Sequence, residues 1–269
     1  MVDDIRDIAD YYNRDPEREH RRLEEHRLEF DLTWRYLENY LPSEGSILEI
    51  GAATGRYTLP LAQRGFAITA VDISSAQLQL SRDRILDEGL GQAVNFLEAD
   101  ARDLRSVSKK DFDAVLLMGP LYHLVEEEDR TKVLKEAHAR LHKGGVIFSA
   151  FISRYGIFGD VLKNIPDVIE QREEIRSVLD RGRDTDDYPN KGFRAYCAVV
   201  SEIAPLHQGI GFETLALAGV EPAISADDES YNRLEDHLRQ LWLDLFFEIS
   251  TKESLIGASR HLLYIGRKV

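Results

Sequence analysis

Apolar positions along the chain follow two rhythms. Between about residues 46 and 151, short apolar runs alternate with stretches in which apolar side chains recur every three or four places. Ile47, Leu48 and Ile50, interrupted only by Glu49, read as a strand buried on both faces. Gly51, Ala52, Ala53, Thr54 and Gly55 form a turn of small residues, and Tyr57, Leu59, Leu61 and Ala62 continue as a helix. Phe66 to Val71, stopping at Asp72, is the second strand; Ser74 or Ser75 caps a helix through Leu78, Leu80 and Ile85 that closes at Gly89 to Gly91. Val94 to Leu97 is the third strand and Phe112 to Met118 the fourth, ending at Gly119-Pro120. A helix from about Glu126 to Leu141 leads through Lys143-Gly144-Gly145 to a fifth, Val146 to Phe151. With two later strands, Phe212 to Leu217 and His261 to Ile265, the pattern predicts an α/β fold. Its mostly parallel, seven-stranded sheet would carry helices on both faces.

The flanks follow the second rhythm. Residues 1 to 14 carry little packing signal apart from Ile5, Ile8, Tyr11 and Tyr12, but from Pro16 the positions Leu23, His26, Phe30, Trp34, Leu37 and Leu41 predict one long amphipathic helix ending before Pro42. Residues 1–41 thus form a helical leader and 42–154 a core. Residues 155–198 read as a cap inserted over the sheet's carboxyl edge, with a helix carrying Val168, Ile169, Ile175, Val178 and Leu179. The polar stretch Asp184 to Asn190 reads as a mobile loop, followed by aromatic Phe193 and Tyr196. Residues 199–269 return to the core through a long helix at about 231–250 and the last strand. Helical spacing assigns Trp34, Trp242, Phe246 and Phe247 to core packing.

Composition narrows the partners. The 269 residues are 43% hydrophobic, enough to bury a full core, and 34 basic against 48 acidic side chains leave a formal charge of -14. Such a surface repels a phosphate backbone and argues against a nucleic-acid substrate. One cysteine, Cys197, excludes an intramolecular disulfide framework and fits a reducing, cytoplasmic setting. No cationic start leads into an apolar segment, and no apolar run reaches a membrane span's length, so no membrane association is expected. His20, His26, His138, His142, His207, His237 and His261 form no metal-ligand spacing, so no metal is expected. The last long helix leaves monomer and homodimer both open.

The strand-turn-helix at residues 47–62 points free N–H groups above the strand's carboxyl end, where open α/β sheets bind cofactors. There the chain resembles the class I S-adenosylmethionine-dependent methyltransferases, over roughly residues 43–153. The family's first motif, acid-any-Gly-any-Gly-any-Gly, is matched by Glu49, Gly51, Ala53 and Gly55, with alanine in the middle glycine's place. The resemblance implies a Rossmann-like sheet and S-adenosyl-L-methionine as cofactor, cradled by that turn with Ala52, Arg56 and Tyr57. It maps Asp72, with Ile73 beside it, onto the acid that binds the ribose hydroxyls, Asp100 and Ala101 onto the adenine amino group, and Met118 to His123 onto the methionyl half. Tyr12 and Arg22 stand on a leader that closes over the cofactor in such relatives.

Methyl transfer needs alignment, exclusion of water and, for a protonated acceptor, somewhere for the proton to go. His123 is the residue this reading assigns to that task, as base or only as an orienting group, with Tyr122 walling the transfer channel. Arg154 and Tyr155 past the fifth strand and Tyr11 on the leader are the candidate substrate contacts. The preferred reading is transfer of a methyl group to an oxygen or nitrogen of a small molecule; a protein or RNA methyltransferase and a non-catalytic cofactor-binding regulator remain open. An NAD-dependent oxidoreductase is the weaker enzyme reading. Asp72 sits about 20 residues past the turn as a dinucleotide site requires, but Arg56 stands where that fingerprint needs its third glycine.

Overall fold

The computed structural model describes residues 5–183, 194–224 and 227–269. Helices α1 (Arg6–Arg14), α2 (Pro16–Glu25) and α3 (Arg27–Tyr40) form the leader, β1 (Ser46–Ile50) begins the sheet, and α4 (Thr58–Gln63) follows the small-residue turn. Then come β2 (Ala67–Asp72), α5 (Ser75–Asp87), β3 (Val94–Glu98), β4 (Phe112–Leu117), α6 (Pro120–His123), α7 (Glu127–Arg140) and β5 (Leu141–Ser153). The insertion carries α8 (Ile157–Asn164), a 3-10 turn at Pro166–Glu170, and α9 (Arg172–Arg181). The remainder is β6 (Cys197–Ala198), α10 (Val200–Gln208), β7 (Phe212–Gly219), α11 (Asp228–Asn232), α12 (Asp236–Ile249), α13 (Glu253–Ile256) and β8 (His261–Lys268).

Seven strands run in the order β3-β2-β1-β4-β5-β8-β7, and the short β6 pairs with the end of β5. β1 to β5 are mutually parallel; β8, wedged between β5 and β7, is antiparallel to both. The predicted sheet is therefore present. Strand order reverses at β1, which has β2 on one side and β4 on the other, so the crevice of a doubly wound sheet opens between the ends of β1 and β4. Because β8 runs against its neighbours, its first residue, His261, lies opposite Ile152 at the carboxyl edge of the parallel strands. Every residue of β1 is buried, as expected for a strand covered on both faces. Leu48, Ile50, Val115 and Leu117 pack into one core layer, and Ile47, Ala114, Leu116 and Phe148 into the other.

Four expectations need correction. The predicted leader helix is broken at His26 (φ -88°, ψ 62°). There Arg56 donates to the His26 carbonyl while the His26 ring meets Asp228 at 3.1 Å, so tertiary contacts override the periodicity. Residues 6–14, short of packing signal in the sequence, form a helix that buries Ile8 and packs on α5. In the insertion Pro166 ends α8, and Val168 and Ile169 fall in the 3-10 turn rather than on the helix of Ile175 and Val178. Near the end, α12 begins only at Asp236, and its Leu238, Leu241, Trp242 and Leu245 are exposed, with Trp242 at 45%. Phe246 is buried, and Trp34 and Phe247 are partly buried against the core. The loop predicted at Asp184 to Asn190, together with Phe193, lies outside the described residues. Among those described, no helix is long and apolar enough to cross a membrane.

Candidate functional site

A cavity of about 1180 Å³, its open mouth included, sits over the carboxyl ends of β1, β2 and β4. Of the candidate residues, Tyr12, Glu49, Gly51, Ala52, Ala53, Arg56, Tyr57, Asp72, Ile73, Asp100, Ala101, Met118, Tyr122 and His123 line it. Gly55, Tyr11, Arg22, Arg154 and Tyr155 are not among its lining residues.

One end of the cavity is made of backbone. The N–H groups of Gly51 and Ala52 donate to the Val71 carbonyl at 2.8 and 3.1 Å, which folds the turn back across the end of β2. Gly51 has φ +80°, and a Cβ there would stand 2.6 Å from both the Met118 carbonyl oxygen and Pro120 Cδ, so only glycine fits. Ala53 also takes a left-handed conformation (φ +48°), the geometry for which the family's middle glycine is suited. Gly55 (φ +83°) instead faces Ser81 of α5 and serves packing behind the turn.

Asp72 ties this end together: its Oδ2 accepts the Ala53 N–H at 2.8 Å and its Oδ1 accepts the Ser74 N–H at 2.9 Å. Each carboxylate oxygen keeps accepting capacity, enough for a pair of hydroxyls. Burial raises the Asp72 pKa against the pull of those N–H groups. Ser74 caps α5 as the sequence suggests, with its Oγ accepting from Gln77 N–H. Asp100 is clamped by Arg102, whose Nη2 lies 2.8 Å from Oδ2 and whose Nη1 reaches Asp129 at 2.7 Å. The amide nitrogen Nε2 of cavity-lining Gln77 is buried with no partner among the described residues, a donor left for a ligand. A cradle closed to a Cβ at Gly51, an acid at the end of β2 and a spare amide donor together fit an adenosyl amino acid.

Glu49 sits beneath the turn, accepting from Thr58 Oγ1 at 2.6 Å. Burial, helped by nearby Asp72, pushes its carboxyl up to about 8 against that hydrogen bond, so it is largely protonated at neutral pH.

The leader supplies part of the wall through Ile5, Ile8 and Tyr12. The Tyr12 hydroxyl lies 2.8 Å from His123 Nε2, and His123 Nδ1 lies 3.0 Å from the Arg194 carbonyl oxygen. A carbonyl only accepts, so Nδ1 carries the proton and Nε2 takes the Tyr12 hydroxyl hydrogen. Burial pulls the His123 pKa down to about 4. Asn13 Oδ1 accepts from Ser74 Oγ at 2.7 Å, and Asp7 pairs with Arg194 at 3.0 Å, so α1 is fastened at three places. Arg22 pairs with Glu19, which itself lines the cavity, at 2.6 Å, and Tyr11 packs edge-on against Tyr12.

The two residues past β5 are elsewhere. Arg154 Nε donates to the Cys197 carbonyl at 3.1 Å, because β6 pairs with the end of β5 and brings that carbonyl within reach; Tyr155 is 58% exposed.

At the other end of the cavity stand residues that the sequence reading did not assign: Glu29 and Thr33 from α3, Val220, and His261 to Leu263 at the start of β8. Glu29 pairs with Arg56 at 3.0 Å. Burial works to raise its pKa, but His261, Arg56, His26 and Arg260 outweigh burial and hold the carboxyl well below the usual range. Among the described residues, no three His, Cys, Asp or Glu side chains are grouped to hold a metal ion.

Residues 47–145 match the family model of a methyltransferase domain. Over 114 residues the chain is 31% identical to a ubiquinone biosynthesis O-methyltransferase of Caulobacter vibrioides, covering 42% of this chain and 43% of that protein. The chain spans less than half the length of the curated relatives it matches. The solved magnesium protoporphyrin IX methyltransferase of Synechocystis, with adenosylhomocysteine bound, superposes at a TM-score of 0.61 with 14% identity, covering 99% of this chain and 100% of that one. The [4+2]-cyclase SpnF superposes at 0.58 with 16% identity over 88% and 81%. Likeness at such identity shows the fold alone. Residues 47–145 thus carry a methyltransferase domain, and the chain has the fold of the class I S-adenosylmethionine-dependent methyltransferases, the cofactor of that class being S-adenosylmethionine.

Proposed function

We propose that this protein passes a methyl group to an oxygen or nitrogen of a small-molecule acceptor. The observation that carries the reading is a single cavity with two unlike ends: a backbone cradle with Asp72 at one, and a cluster of ionisable side chains with Glu29 and His261 at the other. When bound, S-adenosylmethionine supplies an activated methyl on a sulfonium. The close approach that Gly51 allows would admit its amino-acid tail, Asp72 would take its ribose hydroxyls, and Ile73, Asp100 and Ala101 would border its base. Tyr12, Tyr122 and Leu124 line the cavity with apolar surface that keeps water from the reacting centre. A leader that walls the pocket through Ile8 and Tyr12 favours a small acceptor over a macromolecule, as does the acidic surface, and the O-methyltransferase relative points the same way. The cytoplasm suits a chain with one buried cysteine.

Calorimetric titration is the direct test. S-adenosylmethionine and adenosylhomocysteine should each saturate one site, and a panel of phenols and primary amines should contain members that drive release of adenosylhomocysteine. No heat with either compound while NAD titrates cleanly would overturn the reading; turnover confined to peptides or RNA would move the acceptor class.

A further inference from the structure

We propose that His261, held by Glu221, is the group that takes the proton from the methyl acceptor, while His123 fastens the leader and takes none. The proposal rests on the methyl-transfer reading above and adds to it a residue and a direction of proton movement.

Topology brings the pair together. The antiparallel run of β8 puts His261 at the carboxyl edge, Gly219 pairs with Leu262, and Val220 N–H donates to the His261 carbonyl at 3.1 Å. Glu221 follows directly and is 1% exposed. Its Oε1 accepts from Arg260 Nε at 2.9 Å and its Oε2 from the His261 backbone N–H at 2.8 Å, while its own N–H donates to Ser259 Oγ at 2.7 Å. A carboxylate gripped from so many sides cannot swing to another partner. The His261 ring presents Nδ1 to it, 3.2 Å from each oxygen.

The two histidines differ in what remains of their rings. An ionised carboxylate only accepts, so His261 Nδ1 carries the hydrogen and the lone pair of the neutral ring is on Nε2, on the side away from Glu221. His261 lines the cavity, and the proposal assigns that lone pair to the acceptor. In His123 the corresponding lone pair is taken by the Tyr12 hydroxyl. A nitrogen base oriented by a buried carboxylate through its other nitrogen is the general arrangement of a side chain that accepts a proton during a reaction.

The surroundings support the charged ring. From α3, Glu29 faces the same end of the cavity, with Arg56 bound to it. Arg260 stands behind Glu221, and the His26 ring, paired with Asp228, has its centre 6.4 Å from that of His261. Burial disfavours the imidazolium and Arg260 opposes it, but Glu221 and Glu29 outweigh both, and the His261 pKa is raised. In the step, a lone pair on the acceptor atom X forms the bond to the methyl carbon as the X–H proton passes to Nε2. The carbon–sulfur electron pair stays on sulfur, leaving a neutral thioether. One positive charge leaves the sulfonium and one appears on the imidazolium between the two carboxylates.

The test begins with the protein free of acceptor. Histidine NMR titration should place His261 above the ordinary value of about 6.5, and Glu221→Gln should lower it by about one unit. His123 should stay neutral down to about pH 5. Single-turnover release of adenosylhomocysteine, with the phenols and amines of the panel as probes, should fall at least about 100-fold in His261→Asn and less than about 10-fold in His123→Gln, with cofactor affinity by calorimetry within about threefold of the parent. Glu221→Gln, which keeps the shape and some of the hydrogen bonds, should shift the acid limb of the rate profile to lower pH. A His261 that titrates below the ordinary value or ignores Glu221, or a His261→Asn enzyme with parental rate and profile, overturns the proposal. Should His261→Asn not fold, the Glu221→Gln titration and profile decide. A parent that binds no S-adenosylmethionine sinks the methyl-transfer reading, a result separate from any of these.

Discussion

The two ends of the cavity are built by opposite means. The cradle end comes from the tips of β1, β2, β3 and β4, inside residues 47–145, and works largely through backbone groups held by a tight turn. The far end is gathered from α3 and the region after β7, with Arg56 between them, outside that stretch except for Arg56 itself. Two buried glutamates make the contrast sharp. Glu49 has a hydroxyl for a partner and Asp72 for a neighbour, so burial wins and the carboxyl stays protonated; Glu29 has Arg56 and histidines about it, so it stays charged. One cavity thus holds a neutral acid and a charged one. On the proposed function, the shared domain would supply the generic grip and the flanks the charge that selects an acceptor.

The contrast can be broken most forcefully at Gly51. Gly51→Ala forces a left-handed alanine against the Met118 carbonyl and Pro120. It is expected to cost about 2–4 kcal/mol of stability and to remove measurable cofactor binding, as read by denaturant melts and calorimetry. An alanine variant of parental stability would show that the cradle is not constrained as described.

Glu49→Gln gives a smaller effect with a defined pH window. The folded-state pKa of Glu49 is raised from 4.5 to about 8, so the native state binds the extra proton between those values. Stability from this group is full below the unfolded value and is lost as pH rises through about 8. The parent's melting temperature should therefore fall more between pH 5 and 8 than that of the glutamine variant, by at least roughly 2–4 °C. Parallel curves for the two proteins would mean that Glu49 is already ionised. Smallest of all is Ala53→Gly, which exchanges a strained left-handed alanine for a more flexible chain. The two effects, each about 1 kcal/mol, nearly cancel, so the melting temperature should move by less than about 3 °C with cofactor affinity kept. A large loss of affinity would assign the Ala53 methyl a contact of its own.

The same division explains what could be read in the chain. Strand-forming runs, the turn at Gly51 and the acid at Asp72 are local patterns, each fixed by neighbours within a few residues, and the sheet followed from them. Glu29, Glu221 and His261 carry no local mark; 192 positions separate Glu29 from Glu221, and only the antiparallel insertion of β8 next to β5 brings them to one edge. For His123, sequence gives the place after β4 but cannot show that Tyr12 and the Arg194 carbonyl engage both ring nitrogens. Arg154 stands off the cavity for a related reason: β6, two residues long and without a periodic signal, supplies the carbonyl that holds its guanidinium. The break at His26 depends on Arg56 and Asp228, partners that no helical periodicity encodes.

The first helix is tied down at Arg194, Ser74 and His123, points belonging to three separate parts of the chain. Its Ile8 and Tyr12 form part of the cavity wall, so that side of the cavity opens only when these ties loosen together. On the proposed function, widening the pocket on that side is coupled to three distant parts of the chain at once, a motion that would enter the timing of ligand exchange.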